Sequence, residues 1–340
     1  MFSVTETEMS GNTTNTTNPR VAYGEALAEL AAENRNIVVL DADLRTSTRS
    51  VVVREKFPER FFEMGIAEQN MAATAAGLAS AGKIPFINSF AVFCTGRAYD
   101  QIRTAICSAR LNVKIVGSSA GLSDFGDGCT HQSVEDISLM RSLPNMTVIV
   151  PCDAVEVRKA VRGIVEYRGP VYLRLSRSDM PHIFEDALPF QIGRLHKMCD
   201  GSDAVIFAAG TMTAKALEAS QRLRLEGISA KVINVSTIKP LDVEGVLRES
   251  VGTKCVVTAE EHSIIGGLGC AVAAALRKTR VPLEFVGIQD KFGMSGTSHE
   301  ELLEHYGLTV AAIVSAVKTT LDEQRRSPVQ KFCQSSPGGV

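Results

Sequence analysis

The 340-residue sequence has no tryptophan, no Cys-x-x-Cys pair and no apolar run long enough to cross a membrane. Its eight cysteines are scattered along the chain. Scattered cysteines argue against a disulfide scaffold and a zinc site, and they indicate a reducing compartment. The N-terminus lacks the basic start and the apolar core of a signal peptide, so we expect a cytoplasmic protein.

The sequence also lacks an excess of charge of either sign. It carries 36 basic and 38 acidic residues, which gives a formal net charge of -2. This balance predicts neither nucleic acid nor a membrane surface as a partner. Hydrophobic residues make up 45% of the chain, so we expect a sizeable core, and the length predicts about two domains.

Short apolar stretches alternate with helical patterns in two successive blocks. This alternation predicts an α/β fold with two consecutive domains and mainly parallel sheets. We expect the first domain over residues 19–180, a linker over 181–195 and a smaller α/β domain over 196–322. Residues 1–18 and 323–340 are polar and are predicted to be disordered tails.

Polar and aromatic side chains follow the predicted strands of the first block. Ligands of parallel sheets bind beyond the carboxyl ends of the strands, so these residues are candidates for a site. They are Asp43 and Ser47, the stretch Phe90 to Phe93, Asp127 with His131, and Arg177.

Glu68 follows the apolar stretch that begins at Phe61 and stands at the expected start of an alanine-rich helix over residues 68–81. An acidic residue in the first turn commonly complements the helix dipole, which is the structural interpretation. A carboxyl kept partly away from water can instead share a proton with a ligand nitrogen. The candidates at the other strand ends favour this second interpretation.

The aromatic pair and the polar loop each allow two interpretations as well. Phe90 and Phe93 could pack in the core or form a stacking pocket for a flat ring. Asp127 and His131 lie in the long Gly-, Ser- and Asp-rich loop of residues 117–132. Such a segment is either a solvated turn or a functional loop, and its length and composition favour function.

Two arginines are candidates for binding an anion. Arg177 follows the last strand of the first block, where a guanidinium could bind an oxyanion with two hydrogen bonds or form a surface ion pair. Arg20 lies at the start of the first helix and could supply a second contact.

As a set, these residues resemble the thiamine-diphosphate-dependent transketolases. The matching motifs are Met64-Gly-Ile-Ala-Glu68-Gln-Asn, Ser89-Phe90 with Phe93, Arg97-Ala-Tyr-Asp-Gln101, Asp127-Gly-Cys-Thr-His131-Gln132, Leu175-Ser-Arg177, Ala259-Glu-Glu-His262 and Gly287-Ile-Gln-Asp-Lys-Phe292-Gly293. The family's diphosphate- and metal-binding domain has no match here. The resemblance therefore implies a pyrimidine-binding domain followed by the transketolase C-terminal domain, as in the second subunit of a split transketolase.

The resemblance also implies roles for individual residues. The catalytic residues would be Glu68 and His131. Thiamine diphosphate would contact Asp43, Glu68, Phe90 and Phe93. The substrate would contact Arg20, Ser47, Asp127, His131 and Arg177. No metal ligand is expected in this chain, because Mg²⁺ or Ca²⁺ would be held mainly by a partner subunit that supplies the N-terminal half, in an α2β2 assembly.

The implied reaction moves a two-carbon ketol unit from a ketose phosphate to an aldose phosphate, and it would require the partner. The β subunit of a 2-oxo acid dehydrogenase and a deoxyxylulose-phosphate synthase-like enzyme remain alternatives, as does a non-catalytic regulatory subunit. Ser119 stands where many transketolases have a histidine, which leaves the sugar open. An arginine pair would accept a sulfonate as readily as a phosphate, so that choice is open as well. Gly96 stands where many transketolases have a tyrosine, which suggests a looser or partner-completed pocket.

Overall fold

The structure is a computed structural model that describes residues 15–326, with side chains through residue 324. Residues 1–14 and 327–340 of the predicted tails lie outside the described residues. The described residues of the predicted tails, 15–18 and 323–326, include regular secondary structure. Thr16–Thr17 form a strand, the Asn18 side chain caps the first helix by accepting the Arg20 N–H at 3.1 Å, and the last helix reaches Arg326.

The strands of the described residues lie in three sheets. They are β1 (Thr16–Thr17), β2 (Ile37–Asp41), β3 (Phe61–Glu63), β4 (Ile84–Phe90), β5 (Lys114–Ser118), β6 (Thr147–Ile149), β7 (Val171–Arg174), β8 (Met180–Pro181), β9 (His196–Cys199), β10 (Ala204–Ala208), β11 (Ala230–Asn234), β12 (Thr237–Lys239), β13 (Cys255–Ser263) and β14 (Leu283–Ile288).

Helices cover both faces of the two larger sheets. They are α1 (Pro19–Glu33), α2 (Arg45–Thr48), α3 (Val51–Lys56), α4 (Glu68–Ser80), α5 (Tyr99–Gln101), α6 (Asp136–Ser142), α7 (Ala154–Glu166), α8 (Met212–Leu225), α9 (Val243–Ser250), α10 (Leu268–Leu276), α11 (His299–His305) and α12 (Val310–Arg326). None of these helices is long and apolar enough to cross a membrane.

The first large sheet has the strand order β12-β6-β7-β5-β4-β2-β3, and the second has the order β14-β13-β10-β11-β9. Apart from the edge strands β12 and β9, which are antiparallel, every pairing in these sheets is parallel. The predicted α/β fold with mainly parallel sheets is therefore confirmed. Buried strands such as β2 and β10 were recognisable because both faces of a covered parallel sheet require apolar residues.

Strand β12 belongs to the second block in sequence but pairs with β6 at the edge of the first sheet. Ile238 and Val246 of the second block share one hydrophobic cluster with Met140 and Val148 of the first. The two blocks are consequently packed together through a common core, which the sequence did not predict.

One helical region is irregular. The segments Phe93–Arg97 and Ile102–Cys107 are π-helical, on either side of α5. A π-turn holds one more residue than an α-turn and is frequent at functional sites. This winding turns the Phe93 and Arg97 side chains toward the same region.

Candidate active site

The candidate residues gather at one edge of the first sheet. Strands β7, β5, β4, β2 and β3 are consecutive neighbours and run parallel, so their carboxyl ends meet at that edge. The chain segments that follow these five ends carry every residue proposed from the sequence except Arg20, which α1 supplies, and Phe90, which is the last residue of β4. The strand order thus brings together residues that are far apart in the chain.

Glu68 begins α4 and is only 1% exposed. Its two carboxylate oxygens accept hydrogen bonds from Arg97 Nη1 at 2.9 and 2.8 Å. The Arg97 side chain is 45% exposed, and its guanidinium lies 4.5 Å from the centroid of the Phe93 ring. The buried carboxylate of Glu68 is therefore paired with the partly exposed guanidinium of Arg97, which lies over the Phe93 ring.

Phe90, Phe93 and His131 form one aromatic cluster. The two phenyl rings are nearly parallel, with centroids 6.0 Å apart, and the imidazole meets Phe93 edge-on at 5.3 Å. Nδ1 of His131 lies 2.9 Å from the Thr130 hydroxyl. Phe90 is the last residue of β4 rather than part of a loop, so its ring is fixed by the sheet.

The predicted substrate residues Arg20, Ser47, Asp127 and Arg177 lie together. Arg20 donates to the backbone oxygens of Ser47 at 2.9 Å and of Arg177 at 3.2 Å. Arg177 Nη1 lies 2.8 Å from Asp124 Oδ1 and 3.9 Å from Asp127 Oδ2. Burial, followed by the charges of neighbouring arginines, lowers the pKa of Arg20 to about 10.

Asp43 lies apart from the arginine group. Its φ is 62°, its side chain is 57% exposed, and its N–H donates to Glu63 Oε1 at 2.9 Å. The preceding Asp41 is buried and accepts hydrogen bonds from the hydroxyls of Thr48 and Ser50. Burial raises the pKa of Asp41 to about 6. Asp41 thereby fixes the loop that carries Asp43 and Ser47.

The second block holds the loop of residues 117–132 in place. Gln132 Nε2 donates to the Met294 carbonyl at 3.0 Å, and the Gly296 N–H donates to the Phe125 carbonyl at 2.8 Å. The loop that carries Asp127 and His131 is therefore supported from the C-terminal part of the chain.

Sequence reasoning missed four residues at this edge, namely Arg49, Arg97, Asp41 and Asp124. Arg97 could have been found from the sequence, because it stands in one of the motifs that match the transketolases. For Asp124, the only indication in the sequence was its position in the polar loop. No sequence pattern indicated that it would reach Arg177, because the two residues come from different strand ends.

The fold and the site define a two-domain α/β protein whose first domain is of the pyrimidine-binding type. Family models described as "Transketolase, pyrimidine binding domain" and "Transketolase, C-terminal domain" match residues 16–182 and 193–313. The chain belongs to the transketolase family and corresponds to its C-terminal half.

Individual relatives show the same correspondence. A putative transketolase C-terminal section of Methanocaldococcus jannaschii is 44% identical, over 90% of this chain and 96% of the relative. A 6-deoxy-6-sulfo-D-fructose transketolase subunit of a Clostridium species is 43% identical, over 87% and 92%. A solved split-gene transketolase, described as an inactive β4 tetramer, is 48% identical with a TM-score of 0.84, over 91% of this chain and 99% of that one.

Proposed function

We propose that this chain is the second subunit of a split transketolase. Together with an N-terminal-half subunit it would transfer a two-carbon ketol unit from a ketose phosphate to an aldose phosphate. The observation that carries the proposal is the burial of Glu68 and its pairing with Arg97, whose guanidinium lies over the Phe93 ring, in a chain whose relatives are named as transketolase sections and subunits.

The residues at this edge suit the aminopyrimidine of thiamine diphosphate. Glu68 offers a buried carboxylate, and Phe90 and Phe93 offer apolar faces for a flat ring. Within the described part of the chain, several buried side-chain oxygens at this edge have no hydrogen-bond partner. They are Oγ of Ser89, Ser118, Ser119 and Ser133, Oδ2 of Asp124 and Oε1 of Gln132. Such oxygens are able to bind polar groups of a cofactor or a sugar.

When bound, thiamine diphosphate supplies the nucleophilic carbon and the electron sink of the transfer. Glu68 would hold a proton at the pyrimidine ring nitrogen, and Asp43 would contact the cofactor from the neighbouring loop. His131 would move a proton at a sugar oxygen through Nε2, since Nδ1 faces Thr130. Arg20, Ser47, Asp127 and Arg177 would bind the substrate.

A partner subunit would hold the diphosphate and its Mg²⁺ or Ca²⁺ in an α2β2 assembly. Among the described residues, no group of three or more His, Cys, Asp and Glu side chains could hold a metal ion. Phe62 and Ile66, which precede Glu68, are 39% and 76% exposed. Exposed apolar residues beside the candidate site support a covering partner.

The test is to assay ketol transfer by the purified chain alone, by an N-terminal-half subunit alone and by their mixture. We expect transfer only in the mixture, and an equimolar complex by mass measurement. Full activity of this chain alone would contradict the partner requirement. The same mixture supplied with pyruvate distinguishes a transketolase from a 2-oxo acid dehydrogenase or a deoxyxylulose-phosphate synthase.

A further inference from the structure

Asp124 is a buried carboxylate in direct contact with the predicted anion-binding arginine. It is 1% exposed, and its Oδ1 accepts the hydrogen bond from Arg177 Nη1 at 2.8 Å. Its other oxygen is buried and has no partner within residues 15–324. A guanidinium carries five N–H donors, so Arg177 can contact Asp124 and still bind a ligand.

The charges around Arg177 balance. Arg20 donates to the Arg177 carbonyl at 3.2 Å, and the Arg177 guanidinium lies 2.8 Å from Asp124 and 3.9 Å from Asp127. The two guanidiniums and two carboxylates joined by these contacts have no formal net charge. A site that is to prefer a dianion needs an excess of positive charge, which this cluster lacks.

We propose that Asp124 adapts this site to a substrate with one negative charge, such as a sugar sulfonate, rather than to a dianionic phosphate. This inference rests on the proposed ketol transfer at the same site, and it replaces the terminal phosphate of the sugar by a sulfonate. Asp124 already pairs with part of the Arg177 charge, and its burial limits screening by solvent and salt. Each further negative charge on the ligand is repelled by the same carboxylate.

A phosphate monoester carries nearly two negative charges above about pH 7, whereas a sulfonate carries one. The two anions therefore differ in charge while sharing a tetrahedral arrangement of oxygens. Asp124 would be a specificity-determining residue that acts partly through Arg177.

The test compares three acceptor aldoses with the same carbon skeleton and an uncharged, sulfonated or phosphorylated terminus, in the reconstituted complex above about pH 7. The wild-type complex should have a higher kcat/KM for the sulfonate than for the phosphate. Asp124→Asn removes the charge and keeps the shape. We expect it to change kcat/KM least for the uncharged acceptor and to raise kcat/KM about fivefold for the sulfonate and about 25-fold for the phosphate, mainly through KM.

Asp124→Glu is the matched control, because it keeps the charge and should keep the wild-type order of acceptors. An equal change for all three acceptors would reveal a purely structural role and overturn the inference. A wild-type preference for the phosphate would overturn it as well, without any variant.

Calorimetric titration of the same sugars into the wild-type and Asp124→Asn complexes yields dissociation constants that do not depend on turnover. A complex without ketol transfer would contradict the proposed function. The dissociation constants of the three sugars would still test the inference. If the ratios between these three constants are the same in the variant and the wild type, the inference is overturned.

Discussion

At the scale of single residues, the pairing of Glu68 with Arg97 is the main feature of the site. One nitrogen of Arg97 bonds both carboxylate oxygens, so a ligand nitrogen must share or replace that contact. The identity of Glu68 as a candidate was predictable from its motif and its place at a helix start. Its cation partner was not, because Arg97 reaches Glu68 from the π-helical turn of residues 93–97.

Glu68→Gln is expected to reduce kcat of ketol transfer in the reconstituted complex by about 10²- to 10⁴-fold, because the amide cannot take part in general acid–base chemistry. Steady-state kinetics with a ketose donor measures the effect. Glu59→Gln is the control, since the Glu59 side chain is 69% exposed, and its activity should match the wild type. A nearly normal rate for Glu68→Gln would support the non-catalytic regulatory alternative.

At the scale of elements, the loop of residues 117–132 is tightly fitted to β13. Gly121 has a φ of 66°, and its N–H donates to the Ser133 carbonyl at 2.9 Å. A β-carbon at position 121 would collide with the buried Glu261 carboxylate. The glycine-rich composition of this loop was visible in the sequence. Its contact with β13 was not, because the two segments are about 140 residues apart in the chain, which is comparable to the length of a whole domain.

Gly121→Ala is expected to lower the free energy of unfolding by about 1–3 kcal/mol, because it combines an unfavourable backbone conformation with a steric collision. Urea denaturation of the chain measures the change. Gly126→Ala in the same loop is the matched control, since its φ is not left-handed and its β-carbon would meet nothing within 4 Å. Equal losses of stability in the two variants would contradict the explanation.

At the scale of the whole molecule, the second block supports the site of the first. Glu261 Oε1 accepts the Leu122 N–H at 2.7 Å and lies 3.0 Å from His299 Nε2. The Arg174 guanidinium donates to the Glu261 carbonyl at 3.0 Å. Glu261 thus joins β13, α11, β7 and the loop after β5, which ties the position of that loop to the packing of the two blocks.

The pH dependence of stability should report on this junction. Burial alone would lower the pKa of His299, but the Glu261 carboxylate outweighs it and raises the pKa. Protonated His299 therefore stabilises the folded chain fully below its unfolded pKa of about 6.5, and this contribution is lost as the pH rises through the higher folded pKa. His299→Gln should thus destabilise the chain more at a pH below the unfolded pKa of His299 than at a pH above its folded pKa.

Urea denaturation of the wild type and the variant, from about pH 6 to about pH 9, measures that difference. His305→Gln is the control, because His305 is exposed at the end of the same helix. A difference between the wild type and His299→Gln that stays constant with pH would mean that the ion pair does not contribute.

The sequence by itself determined the α/β class, the two blocks and most strands and helices, because apolar runs and helical periodicity are properties of neighbouring residues. It also determined which residue types follow the strands. Only the tertiary structure decided that β12 joins the first sheet, that Arg97 reaches Glu68 and that Asp124 meets Arg177. The physical reason is that these contacts follow from strand order and from packing between distant segments, which local periodicity does not specify.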